Sequence, residues 1–252
     1  MALRSLAFLT LCTALGMLGC KKEDDDPGPA ATATTEQVIV KAYFLPREGN
    51  DSFIFGSSYI PDGAGRDAII TRMRFLITDL RLTDASANPI RTFPGKVILW
   101  DSNDPTAQIT LGTVDAGSFG GIAMTLGLDD ANNALAPGDF MEPPLSDQTL
   151  YAGAGNGYRF YQLEGRTDAN SDGIVSASDP TFSYTCITSA MRRSDQIYYA
   201  SEVAGAMSTV NIGLDVRGLL NGVDVVADLS EVGAGALNAQ LMSNLQTAIE
   251  EP

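Results

Sequence analysis

Period-two alternation runs through most of the chain after residue 38. VNIGLDV places Val210, Ile212, Leu214 and Val216 on one face with small or polar residues between them, the pattern of a half-buried strand. IAMTL repeats it with Ile122, Met124 and Leu126. MRFLITDLRL alternates through Met73, Phe75 and Ile77, and then Leu80 and Leu82 continue one step out of phase. A one-residue slip exchanges the two faces of a strand, so a bulge or bend is predicted near Thr78 and Asp79. QVIVKAYF, KVILW, YRFYQLEG, TFSYTCIT and QIYYA are further strand candidates, separated by turns rich in Gly, Pro, Asn and Asp. One segment follows a different period. In ALNAQLMSNLQTAIEE, Leu237, Leu241, Leu245 and Ile249 recur every four residues with Met242 beside them, which predicts a helix packed on the sheets. Many short strands and one late helix predict an all-β fold, an antiparallel β-sandwich with a short C-terminal helix.

The N-terminus follows neither period. Arg4 precedes an apolar stretch, Leu6 to Gly19, that is too short to span a bilayer and ends in MLGC. Residues 1–19 therefore read as a lipoprotein signal peptide with Cys20 as the lipidated residue, although Met17 stands where a leucine is usual. KKEDDD and PGPAATATTE can build no apolar face, so residues 20–37 are expected to be a solvated tether, its acidic run resembling a surface-lipoprotein export tag. The expectation is an outer membrane lipoprotein, facing the cell surface or the periplasm, held to the membrane by acyl chains. Nothing inside residues 38–252 resembles a second linker, so a single domain is expected there.

Charge narrows the partners. The formal charge is −15 and becomes −16 once Arg4 leaves with the leader. That balance repels nucleic acid and anionic lipid headgroups and suits an exported domain that attracts cations. Of the three cysteines, Cys12 leaves with the leader and Cys20 takes lipid, which leaves Cys186 without a disulfide partner. The chain has no histidine, which excludes Ser-His-Asp and Cys-His catalytic arrangements and any His-ligated metal site of its own. Lysines are few, and YAGAGNGY lacks the strand–loop–helix setting and the lysine of a phosphate loop. The expectation is a protein that is not an enzyme.

DANSDGIVSASD, residues 168–179, has the offsets of a twelve-residue calcium loop. Asp168, Asn170 and Asp172 would supply side-chain oxygens and Gly173 the sharp turn. Ile174 would offer its carbonyl, Ser176 would act directly or through water, and Asp179 would close the shell. Aspartate at the twelfth position resembles dockerin-type loops. The flanks YRFYQLEGRT and PTFSYTCIT read as strand, so calcium would sit in a connection between strands rather than in an EF-hand. Extracellular sites of this sort bind at about 10⁻⁴ to 10⁻³ M, which means standing occupancy rather than sensing. A second acidic group, Asp129 and Asp130 with Asn132 and Asn133, reads as a capped turn. The tyrosines of YRFY and IYY read as packing residues, with a glycan-stacking surface as the alternative.

GRDAIITRMRFLITDLRLTDASANPI, GGIAMTLGLDDANN, PPLSDQTLYAGAGNGYRFYQLEG and VNIGLDVRGLL together resemble the MbnP-like family, the methanobactin-associated copper-binding domain of bacterial lipoproteins. The resemblance spans nearly all of residues 38 to 249, and GYRFYQLEG, Gly157 to Gly165, is its most specific block. It implies a metal-handling domain that works with a redox partner. Family members carry tryptophans before GY, where a modified tryptophan can join the copper site, and a histidine after LEG. Here Tyr151 and the pair Thr185 and Cys186 stand in those places, and the single tryptophan, Trp100, lies in an earlier strand. No copper ligand is carried over, and the copper site is expected to be degenerate. Calcium is the expected ion. A calcium-rigidified surface module that binds a protein, a glycan or its own copies is the alternative.

Overall fold

The computed structural model describes residues 36–252, so the expected leader, Cys20 and the expected tether up to residue 35 lie outside the described residues, whereas Gln37, the last residue read as tether, already begins the first strand. Ten strands carry the architecture: β1 (Gln37–Glu48), β2 (Asp67–Thr83), β3 (Ile98–Asp101), β4 (Ile109–Asp115), β5 (Gly121–Leu126), β6 (Gly157–Thr167), β7 (Thr181–Ile187), β8 (Arg193–Ile197), β9 (Met207–Asp215) and β10 (Ser230–Gly233). The helix Ala236–Ala248 follows them. The fold is all-β, as the alternation predicts. Among the described residues no helix is long and apolar enough to cross a membrane.

β2 is the spine. It runs for 17 residues and pairs with β3, β5, β6 and the short strands Tyr59–Pro61 and Pro89–Thr92. The ten-stranded sheet built on it runs β8-β5-β2-β6-β7-β10. The predicted bulge is present: the β2–β5 register shifts between Thr78 and Arg81, and Asp79 takes a positive φ of 52°. Leu80 and Leu82 are thereby buried along with Met73, Phe75 and Ile77.

The second sheet has five strands, with β1 between β9 and β4. Val38, Val40, Ala42 and Phe44 of β1 are fully buried, and the Phe44 ring meets Phe75 of β2 edge-on at 5.8 Å, which joins the two layers. Two pairings are parallel, β1 with β9 and β7 with β10. Alternation reports which face of a strand is buried and is silent on its partner and direction, so neither pairing is visible in the sequence.

The helix closes one end. Leu241, Met242, Leu245 and Ala248 are buried, whereas Leu237 is only partly covered. Two amides share its buried face. Asn238 Nδ2 donates to the Thr185 and Gly233 carbonyls, each at 3.0 Å. Asn244 Nδ2 donates to the carbonyls of Leu219, at 3.0 Å, and Asn221, at 2.9 Å. These bonds pair carbonyls of β7, of the end of β10 and of the 219–221 turn with the helix.

Candidate functional site

The 168–179 segment connects β6 to β7, which are antiparallel neighbours with Arg166 opposite Thr181. Its base is tied down: Asp168 N donates to the Asp67 carbonyl at the start of β2 at 2.8 Å, and Thr167 N to the Pro180 carbonyl at 3.3 Å. Within the loop, Asp168 is 3% exposed. Its Oδ1 accepts from Asp172 N at 3.2 Å and its Oδ2 from Gly173 N at 2.7 Å. Asn170 Oδ1 also accepts from Asp172 N, and Asn170 Nδ2 donates to Asp172 Oδ2 at 2.9 Å. Asp172 Oδ1 accepts from Ile174 N at 2.9 Å. Positive φ at Ser171 (57°) and Gly173 (82°) gives the coil its sharp curvature.

The second half closes separately. Asp179 Oδ2 accepts from the Ser176 backbone N at 2.7 Å and the Ser176 hydroxyl at 2.8 Å. Arg166 holds the same turn from outside through the Ala177 and Asp179 carbonyls. The loop thus brings Asp168, Asn170 and Asp172 together in one hydrogen-bonded coil and pairs Ser176 with Asp179, while the Ile174 side chain points to solvent. Among the described residues no group of three or more His, Cys, Asp or Glu is gathered closely enough to hold a metal ion. An ion here would therefore also draw on Asn170, Ser176 and the Ile174 carbonyl, exchanging some internal bonds for coordination.

The Ser176 backbone and hydroxyl bonds hold the Asp179 carboxyl below its ordinary value. A depressed folded pKa stabilises the loop above the unfolded value, about 3.9, and that contribution is lost as pH falls through the folded value. Protection of the Ser176 amide from hydrogen exchange should accordingly decline as pH falls below the unfolded carboxylate value. In Asp179→Asn the decline should be absent. Equal pH dependence in the two proteins would remove Asp179 from the loop's acid response.

The GYRFYQLEG block is packed into the fold. Tyr158, Phe160 and Tyr161 are buried, so they offer no stacking surface, and of the IYY pair only Tyr198 is well exposed. The Tyr158 hydroxyl donates to the Leu145 carbonyl at 2.7 Å, and burial pushes its pKa up to about 12. Asn133 Oδ1 accepts from Tyr158 N, and Asp129 caps the one-turn helix Asp130–Asn133 through the Asn132 N–H and carboxamide. The second acidic group is therefore a capped turn that braces this block.

The sequence profile of the MbnP family matches residues 39–243. This chain belongs to the MbnP family. The structure of MbnP from Methylosinus trichosporium is similar at a TM-score of 0.51 and 17% identity, over 81% of this chain and 82% of that one, a likeness that speaks for the fold alone. No curated protein matches the chain.

Two positions distinguish this MbnP-family member from the residues that the resemblance led one to expect. Tyr151 packs its ring on Tyr158 at 5.3 Å, and its carbonyl accepts from Arg159 Nη1 at 2.6 Å. Arg74, itself 7% exposed, donates to the Thr149 carbonyl next door. Cys186 is fully buried, opposite Tyr161 on β6, with its thiol directed at the Asn238 carbonyl at 3.6 Å. Burial, followed by the nearby Glu231 carboxylate, pushes the thiol pKa up. The thiol thus lies in an apolar setting, and the chain has no imidazole to stand beside it.

Proposed function

We propose that this MbnP-family domain is an exported, lipid-anchored, non-enzymatic module in which calcium stiffens the 168–179 loop and the family's copper site has been replaced by packing. One observation carries the calcium reading. A nearly buried carboxylate, Asp168, stands at the first position of a twelve-residue loop with oxygen-bearing side chains at the third and fifth positions, and it already orders the backbone of Asp172 and Gly173. Asp168, Asn170, Asp172, Ser176, Asp179 and the Ile174 carbonyl are the proposed donors. The anchor rests on Cys20 and the apolar leader before it, and the acidic charge suits a cation-rich exterior. A redox-protein partner belongs to the copper reading, and the burial of Cys186 disfavours it. A surface-protein partner is compatible with a rigid exported module.

Melting in calcium and in chelator tests the proposal. At calcium concentrations ten- to a hundredfold above Kd, linkage should raise stability by roughly 1.4–2.7 kcal/mol, or several degrees in Tm. Asp172→Ala should abolish the response and leave the chelator-treated protein near its wild-type midpoint. A wild-type midpoint indifferent to calcium would sink the reading. A copper titration against Cys186→Ser should show no stoichiometric binding in either protein.

A further inference from the structure

A polar cleft of about 590 Å³ opens between the turn that follows β9 and the C-terminal helix. Its size is within the range of small-molecule sites, about 300–1,000 Å³. Asp215, Arg217, Asn221, Asn244, Thr247 and Glu250 form its polar wall. Both kinds of charge on that wall are already matched within the protein. Arg217 Nε donates to the two oxygens of Asp215 at 3.1 and 2.9 Å. Arg47 reaches Glu250 Oε1 through Nε at 3.1 Å and Nη2 at 2.8 Å. An incoming ion therefore meets no unpaired countercharge, and the net charge of −15 further disfavours an anion.

Three polar groups of the wall have no side-chain partner among the described residues: Arg217 Nη1, a donor; the Asn221 carboxamide, donor and acceptor; and Glu250 Oε2, an acceptor. The Asn221 group is presented by a fixed backbone. Asn244, 8% exposed, donates to the Leu219 and Asn221 carbonyls and so ties that turn to the helix. No aromatic or large apolar side chain lines the cleft, which disfavours an apolar ligand. Matched charges beside free donor and acceptor groups suit a molecule whose groups each donate and accept without carrying charge. We propose that this cleft binds a neutral saccharide unit through its hydroxyls.

The test is an amide chemical-shift titration of the full domain, kept in constant calcium, with glucose, N-acetylglucosamine and maltose. Glucuronate and glucosamine serve as charged counterparts. Saturable shifts confined to residues 215–221 and 244–250, with a Kd on the order of 1 mM, are expected for at least one neutral sugar. Asn221→Ala removes the free carboxamide, and Thr247→Trp fills the cleft from an exposed helix position. Each should weaken binding at least about tenfold while the melting curve stays cooperative. The proposal fails if no neutral sugar moves these signals, if the charged counterparts bind more tightly, or if shifts persist unchanged in both variants. The wild-type titration decides the matter even where a variant does not fold. Because calcium is constant throughout, a failure here leaves the loop reading untouched.

Discussion

Replacing Trp100 with alanine should remove about 3–5 kcal/mol of stability, the usual cost of truncating a buried large aromatic. Trp100 is 2% exposed on β3 and stacks on its register partner Phe75 of β2 at 5.2 Å with 27° between the planes. Phe55 meets the same ring at a tilt, with centroids 5.7 Å apart, and Phe75 in turn meets Phe44 of the five-stranded sheet. The ring thus stands inside an aromatic series that runs from Phe55 to Phe44 across the sandwich, and a cavity there would be lined by rings that cannot collapse into it. At roughly 2–4 °C per kcal/mol for a domain of this size, Tm should fall by roughly 10 °C. Trp100→Phe keeps the stacking partner and should cost markedly less. Since Trp100 is the single tryptophan of the chain, its emission should be blue-shifted in the native protein and move red on unfolding. Calorimetry that finds less than about 1 kcal/mol lost in Trp100→Ala would show that the interface repacks freely.

Much of this architecture is legible in the sequence because alternation and burial are the same physical constraint. Val210, Ile212 and Leu214 are fully or almost fully buried, and the slip in MRFLITDLRL locates the Asp79 bulge within two residues. The alternation fails where a strand is buried on both faces. β5 is buried at every position, so the small and polar residues Ala123 and Thr125 that alternate with Ile122, Met124 and Leu126 do not mark an exposed face. β4 and β10 contain glycines and short runs with too little pattern to mark a strand. The helix shows a further limit. Leu237, the first residue of its apolar stripe, is partly exposed, whereas Asn238 and Asn244 are buried because carbonyls from distant segments need their amides.

The loop was legible for a different reason. Asx side chains bond to their own backbone a few residues on, so the spacing of Asp168, Asn170 and Asp172 fixes local geometry without help from the rest of the fold. The saccharide cleft has no such signature. Its wall is assembled from residues 215–221 and 244–250, which no local rule connects.

Asp62→Ala should be as damaging as the loss of Trp100, by about 3–5 kcal/mol, through electrostatics instead of packing. The Asp62 side chain is fully buried and accepts five hydrogen bonds. Oδ1 takes the Ala64 and Arg66 backbone N–H groups, each at 2.9 Å. Oδ2 takes Arg66 Nε at 3.0 Å and Nη2 at 2.7 Å, and the Val225 N–H at 3.3 Å. Alanine would leave three backbone donors unpaired and the Arg66 guanidinium, 18% exposed, with Asp224 as its one remaining carboxylate. An asparagine side chain could serve only part of the set, since its amide nitrogen would face further donors, so Asp62→Asn should lie between alanine and wild type. Asp224, the other carboxylate on Arg66, is 48% exposed, and Asp224→Ala should cost no more than about 1 kcal/mol. The effect should also reach the proposed calcium loop. The Asp62 turn sets the start of β2, where the Asp67 carbonyl accepts from Asp168 N and so anchors the first proposed donor. Asp62→Ala should therefore weaken calcium binding as well as lower Tm, while Asp224→Ala should change neither by much. Calcium affinity unchanged in a folded Asp62→Ala protein would show that the loop holds its shape without the β2 anchor.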